Sequence, residues 1–394
     1  MGALDGITVL DLAILVQGPQ AAALLGGMGA DVIKIELPVV GDLARWLRTA
    51  PTQTAGAFFE GCNRDKRSVT LDLRQPGGKR ALFKLVERAD VLIHNFVPGT
   101  MEQWGLAYET LVEINPRLIF ASGSTFGPLG PDATREGADT LGQAAGGLIS
   151  TTGRDGEAPT PVGAVVADHI GSLNMVAGIL AALHHRHTSG RGQKVEVSLL
   201  GGQIWAQASE YTHYLLYNEY GRSNNGHALL KGLLRMVPTA DGYIQLVGVP
   251  QHLWPGFARC IGRDDLVDDP RFNTLLYAPA DLIELCALVD AIFPTRTTAE
   301  WCERLAATGQ RYSAVRHYPE VAADPGAREN GYFVEVDHPE RGRCLVVGHP
   351  IRMSETPTVA GVVAPELGQH TEEVLLEAGF SWEDLEALRA EGAW

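Results

Sequence analysis

Up to Ser122, short apolar runs alternate with amphipathic stretches. Residues 7–12, 31–36, 68–73, 91–94 and 118–122 are β-branched and Leu-rich runs of strand length. Between them, stretches such as 78–89 set Ala81, Leu82, Leu85 and Val86 on one face at helical spacing. Strands alternating with helices predict a parallel sheet with helices on its faces. A long helical pattern follows at 166–187, closed by Thr188-Ser189-Gly190-Arg191-Gly192-Gln193, then a strand at 194–197 and a helix through Trp205. Residues 218–242 lose periodicity around the turn cluster Ser223-Asn224-Asn225-Gly226, which predicts a linker. Helical stretches at 251–262, 281–293 and 298–308 predict a smaller domain, and strands at 332–336 and 344–347 precede two helices that run to Trp394. The boundaries expected are 1–217 and 331–394 for one discontinuous large domain and 218–330 for the small one.

Composition narrows the partners. With 394 residues and 45% hydrophobic content the chain buries a sizeable core, as two domains. Its 32 Lys+Arg against 47 Asp+Glu give a charge of −15, so no nucleic-acid partner is expected, and an anionic ligand has to be met by a local basic pocket. The longest apolar stretch, 165–183, is interrupted by Asp168, His169, Ser172 and Asn174, which reads against a membrane span. No basic segment precedes the first apolar run, so no export signal is read. Cys62, Cys260, Cys286, Cys302 and Cys344 are odd in number, far apart and without a C-x-x-C pair, which predicts reduced thiols in a cytoplasm.

Several chemistries lack their motifs. The turn after the first strand, Leu15-Val16-Gln17-Gly18-Pro19, is not G-x-G-x-x-G, and no G-x-x-x-x-G-K-[ST] occurs, which argues against nicotinamide and P-loop enzymes. The string Ser122-Gly123-Ser124-Thr125-Phe126-Gly127 has the wrong spacing for a nucleophile elbow. His184, His185 and His187 read as a helix C-terminus that complements its dipole, and no metal is expected. Asp168 sits in the first turn of an otherwise apolar helix, where the dipole and free N–H groups favour the anion; it is either a helix-start residue or a charged group in a partly dry site.

Read together, the motifs carry a resemblance. Residues 4–12 (Leu-Asp-Gly-Ile-Thr-Val-Leu-Asp-Leu), Gly18-Pro19, 29–36, Gly41-Asp42, 63–73, 89–96, Asn115-Pro116-Arg117-Leu118-Ile119, 188–193, Asp269-Pro270-Arg271-Phe272 and Gly348-His349-Pro350-Ile351-Arg352 resemble family III CoA-transferases, the group of formyl-CoA transferase, carnitine CoA-transferase and α-methylacyl-CoA racemase. The resemblance implies an α/β fold: a Rossmann-like parallel-sheet large domain with a smaller α+β domain, in an interlocked homodimer. It implies CoA transfer from an acyl-CoA to a small carboxylic acid, with Asp168 as nucleophile forming a mixed anhydride and then an aspartyl-CoA thioester. CoA is then a substrate, and no cofactor is bound permanently.

By the same resemblance, Val16 and Gln17 align with the turn along the pantetheine. Leu71, Asp72, Leu73 and Arg74, and Asn95, Phe96 and Val97, align with segments around the adenine and phosphates. Gly137, Ala138 and Asp139 align with the site lining; Asp139 is otherwise a cap for a helix at 140–148. Alanine at 138 replaces the histidine of the racemases and cannot exchange a proton, which disfavours an acyl-CoA racemase or epimerase. A catalytically silent acyl-CoA-binding protein is the alternative of another class. Leu37 and Gln103 fall where formyl-CoA transferase has arginines, and Arg45, Arg64, Lys66 and Arg67 stand nearby as replacements. Residues 226–232 fill the place of a longer glycine-rich loop, residues 309–315 depart from the family's pattern, and Trp46 and Leu47 lie where relatives select the acceptor.

Overall fold

The computed structural model describes every residue except 48–55, 231, 275–276, 340 and 360. Two compact units emerge: Met1–Gly147 with Gly163–Gln207 and Asp324–Trp394, and Leu148–Val162 with Ala208–Ala323. Residues 148–162 and the helix Ala208–Tyr217, read from the sequence as large-domain segments, thus belong to the second unit.

The first unit is built on six parallel strands, β1 (Thr8–Asp11), β2 (Asp31–Glu36), β3 (Lys66–Thr70), β4 (Val91–His94), β5 (Ile119–Ser124) and β6 (Lys194–Ser198), in the order β3-β2-β1-β4-β5-β6. This is the doubly wound order, whose direction reverses between β1 and β4. Side-chain alternation splits the core in two. Leu10, Ile33, Ile35, Val69, Leu92 and Phe120 face one way, onto the helices Pro76–Val86, Thr371–Glu377 and Trp382–Ala390. Val9, Val32, Val91, Ile93, Ile119 and Ala121 face the other, onto the helices Gln17–Gly27 and Val166–Ser189. The latter helix is long and apolar enough to cross a membrane. Here Ala167, Met175, Val176, Ile179 and Leu183 are buried.

The C-terminal helices also cover the β3 edge. The Thr70 N–H donates to Thr371 Oγ1 at 3.0 Å, and the Asp72 N–H donates to the Ala393 carbonyl at 2.8 Å. A hairpin of β10 (Phe333–His338) and β11 (Gly342–Val347) belongs to the same unit.

The second unit packs its helices, among them Trp254–Cys260, Pro279–Ile292 and Thr298–Ala306, around Trp254, Phe257, Phe293 and Trp301. It also holds an antiparallel sheet, β7 (Leu234–Pro238), β8 (Tyr243–Val247) and β9 (Tyr312–Ala314), in the order β7-β8-β9. The linker expected over 218–242 therefore contains a strand. Its only buried position is Val237, paired with Ile244 of β8, a signal too weak to show beside the adjoining turn cluster.

Candidate active site

The loops that leave β1 and β4 bound a cavity of about 260 Å3 at the reversal of strand order, where open α/β sheets receive ligands. Its walls are largely apolar (Leu12, Ile35, Leu71, Leu73, Phe96, Trp104), with Asp72 and Arg74 on one side and Leu37 on another. Arg74 is exposed and grips Asp72 through two bonds of 2.8 Å. The four cations read as replacement phosphate ligands are elsewhere. Arg45 clasps Glu36 through two bonds of 2.8 Å, Arg67 bridges Asp31, Glu373 and Glu377, Lys66 is buried on Asp11, and Arg64 lines a different cavity. None of them lines this one.

Beneath the cavity lies a charge cluster absent from the sequence reading. Lys34, Asp11 and Asp42 are 0, 0 and 1% exposed. Lys34 Nζ stands 2.9 Å from Asp42 and 3.6 Å from Asp11, and donates to the Ala13 carbonyl at 2.8 Å. Lys66 Nζ meets Asp11 at 2.7 Å and donates to the Pro19 carbonyl and Asn63 Oδ1, each at 2.8 Å. Desolvation opposes every charge here. The two ammoniums nonetheless hold the Asp11 carboxyl below its ordinary range, whereas burial pushes Lys66 down to about 8. The cluster shapes the turn after β1: Asp42 Oδ1 accepts from the Leu15 N–H at 2.9 Å, and Leu15 has φ +65°, a conformation costly for a branched side chain. Asn95 ties the same turn to β4 by accepting from the Ile14 N–H and donating to its carbonyl.

The second assembly surrounds Asp168, the third residue of its helix. The expectation that free N–H groups keep this carboxylate charged is overturned, because another carboxylate has taken them. Asp139 Oδ1 accepts from the Ala167 N–H at 2.8 Å and the Asp168 N–H at 3.3 Å. Asp139 begins the helix Asp139–Ala145, whose own cap position is Ala138, so it caps the later helix and not its own. Burial first, then the neighbouring Asp139 charge, pushes the Asp168 carboxyl up to about 7.

Gln17 closes the site. It is 3% exposed and wedged between two glycines: a Cβ at 123 would lie 2.2 Å from its Oε1, and one at 171 would lie 2.6 Å from its Nε2. Its amide nitrogen has no hydrogen-bond partner among the described residues. Ser172 Oγ lies 2.6 Å from the Gln17 carbonyl and 2.9 Å from that of Asp168, sharing its proton between the two helices. A buried donor without an acceptor costs about 1–3 kcal/mol, a cost consistent with a site that awaits a ligand oxygen.

The residues named from the sequence thus fall into two groups. Leu71 to Arg74 and Phe96 meet at the cavity; Gln17, Asp139 and Asp168 gather near the long helix start, Ala138 is the cap position before Asp139, and Val16 is buried. Gly137 packs on Thr125, and Val97 lines neither. Trp46 is exposed and donates its indole N–H to the Val40 carbonyl at 2.7 Å; neither it nor Leu47 lines the cavity. Of residues 226–232, in the second unit, His227 faces Glu210 at 3.0 Å, and Lys231 lies outside the described residues. Residues 309–315 include β9.

The match to known proteins follows this geometry. A model of CoA-transferase family III matches residues 4–371. The chain belongs to this family. The formyl-CoA:oxalate CoA-transferase of Streptomyces coelicolor is 34% identical across 99% of the chain and 98% of its own length, and that of Escherichia coli O157:H7 is 33% identical across 98% of each. Among solved structures, a CAIB/BAIF family protein of Brucella suis superposes with a TM-score of 0.85 at 30% identity over 96% of the chain and 99% of its own. A hypothetical protein of Mycobacterium tuberculosis gives 0.82, also at 30% identity, over 95% and 99%. As a family III CoA-transferase the protein is an enzyme that handles CoA thioesters.

Asp139→Asn tests the electrostatics. The amide keeps an oxygen for the Ala167 N–H and removes the charge that raises Asp168. The acidic limb of the kcat/KM profile is expected to move to lower pH without reaching the ordinary carboxylate range, because burial remains. A limb that stays in place means that Asp168 does not set it.

Proposed function

We propose that the enzyme moves CoA from an acyl-CoA to a carboxylic acid through covalent intermediates on Asp168. The observation that carries this reading is a largely buried carboxylate raised by burial and by Asp139, with the Gln17 amide nitrogen, without a partner among the described residues, packed on the same helix at Gly171. In water a carboxylate is a poor nucleophile toward a thioester; desolvated, it gains reactivity once ionised. An Asp168 oxygen attacks the thioester carbonyl, the C–S bond breaks, and CoA leaves as thiolate, giving a mixed anhydride. The thiolate attacks the aspartyl carbonyl and expels the first acid, leaving aspartyl-CoA. The incoming carboxylate attacks that thioester and frees the thiolate, which then attacks the acceptor's acyl carbon and regenerates Asp168. The thioester energy is kept at each step. Gln17 Nε2 is suited to donate to the oxyanion formed at each attack.

In this reading the cavity at the strand reversal receives the adenine end of CoA against Leu71, Leu73 and Phe96, with Arg74, Asp72, Asn95 and Val97 around the phosphates. The turn Val16-Gln17 runs along the pantetheine, and Gly137 to Asp139 support Asp168. The first unit is the CoA-binding domain and the second the small domain, and two chains interlock as a cytoplasmic homodimer that dilution leaves intact.

The test is to incubate the protein with acyl-CoAs and seek an aspartyl-CoA adduct on Asp168 by intact mass, with release by hydroxylamine. The adduct is expected only with Asp168 present. Deuterium washed from solvent into the α-carbon of an acyl-CoA, with no adduct, would replace transfer by epimerisation.

A further inference from the structure

Lys66 opens β3 and is 3% exposed, with its side chain wholly out of water. Its ammonium directs its three N–H bonds to acceptors on three different segments. These are Asp11 Oδ2 on β1 at 2.7 Å, Asn63 Oδ1 at the end of the helix Ala57–Asn63 at 2.8 Å, and the Pro19 carbonyl in the first turn of the helix Gln17–Gly27 at 2.8 Å. The last bond ties the buried charge cluster to the assembly around Asp168, because Gln17 lies in the same turn as Pro19.

That turn has little hold of its own. Among the described residues Val16 makes no side-chain cap, and no acidic residue stands in the first turn. It is fastened from outside instead, by Ser172 Oγ on the Gln17 carbonyl at 2.6 Å and by Lys66 on the Pro19 carbonyl. These bonds fix the backbone from which the Gln17 amide reaches between Gly123 and Gly171.

A neutral amine cannot serve three acceptors: it keeps two N–H bonds and presents a lone pair to the third. Asp11, an anion, keeps its bond. Asn63 can turn a donor to the lone pair only by giving up the bond from its Nδ2 to the Phe59 carbonyl at 3.2 Å. The Pro19 carbonyl, which as a helix carbonyl has an N–H from the next turn, is the acceptor most easily given up. Around the ammonium stand Asp11 from β1, Lys34 from β2 and Cys62 from the helix Ala57–Asn63, while the helix Gln17–Gly27 brings no charge. Burial, against the pull of Asp11, brings Lys66 down to about 8, and burial holds the Cys62 thiol protonated up to about 11.

We propose that Lys66 is a positioning residue for the transfer reaction: its ammonium latches the turn that carries Gln17, and loss of its proton releases that turn and slows transfer. The inference rests on the transfer reading above. Between about 8 and 10.5 the folded chain has released a proton that the unfolded chain still holds, so the contribution of Lys66 to stability rises with pH while the rate falls. This titration therefore does not unfold the protein.

The experiment follows CoA transfer from one acyl-CoA donor across pH 6 to 10. The wild-type kcat should fall as pH rises through 8. Lys66→Met should lower kcat by about 10- to 100-fold, the scale of a slightly misplaced catalytic group, change the KM for acyl-CoA much less, and abolish the alkaline fall. Asn63→Asp keeps the acceptor and sets a negative charge beside the ammonium, so the fall should move to higher pH; it keeps the test open if Lys66→Met fails to fold. An alkaline fall that stays in place in either variant overturns the proposal. Amide exchange in the wild-type protein, corrected for the intrinsic effect of pH, needs no substrate: Gln17–Gly27 should lose protection above pH 8 while Pro76–Val86 keeps its own. Protection lost in this way by a protein that transfers no CoA sinks the transfer reading and retains the latch. Transfer with unchanged protection at Gln17–Gly27 does the reverse.

Discussion

Replacing Asp168 by Asn should lower CoA exchange by about 10,000-fold or more, the scale seen when a covalent nucleophile is removed. The same substitution should make the protein more stable at pH 8. The folded carboxyl sits at about 7 against an ordinary 3.8, so between these values the unfolded chain loses its proton first. Above pH 7 the native state carries the full cost of a desolvated charge; below 3.8 both states are neutral and the cost vanishes. At about 1.4 kcal/mol per pKa unit, Asp168→Asn should gain about 2–4 kcal/mol at pH 8 and almost nothing at pH 4. Urea unfolding at the two pH values checks this. Wild-type kcat/KM should fall as pH drops through 7; a flat profile from pH 5 to 8 is incompatible with Asp168 as the ionised attacking group.

Asp42→Ala should cost about 3–5 kcal/mol of stability, the range for breaking a buried ion pair from one side. Lys34 loses its partner at 2.9 Å and must share Asp11, at 3.6 Å, with Lys66. The Leu15 N–H also loses its acceptor, and with it the hold on a backbone at φ +65°. Chemical denaturation measures the first effect, and the KM for acyl-CoA should rise in the protein that remains folded. Lys34→Met with Asp42→Leu removes both charges and should recover much of the lost stability but not the KM, since the acceptor for Leu15 is still missing.

The first unit was legible because its strands are long enough to alternate: Leu10 and Val9 already divide two cores in the sequence. The helix start that carries Asp168 was legible and the electrostatics there were misread, because the helix is capped by Asp139, 28 positions from Ala167, a pairing that local spacing does not encode. The buried lysines carried a signal that went unused. Lys34 interrupts Val32-Ile33-Lys34-Ile35, and a charge within a buried strand demands a counter-charge from another. Arg64 offered no such cue: an arginine between Asn63 and Asp65 reads as solvated, and only the arrival of residues 347–349 encloses it. The β7–β8 hairpin was missed because turn signals at Ser223-Asn224-Asn225-Gly226 and Asp241-Gly242 flank β7 closely on both sides and hide its alternation.

The bond from the Asp72 N–H to the Ala393 carbonyl has a consequence for biosynthesis. Leu71 to Arg74 emerge early from the ribosome, yet the segment that buttresses them is translated more than three hundred residues later. The whole second unit is made between the two, so this wall of the cavity stays unfinished until elongation is nearly over. A nascent chain stalled before residue 371 would carry Asp168 and Gln17 but leave the β3 edge open to pairing with another chain.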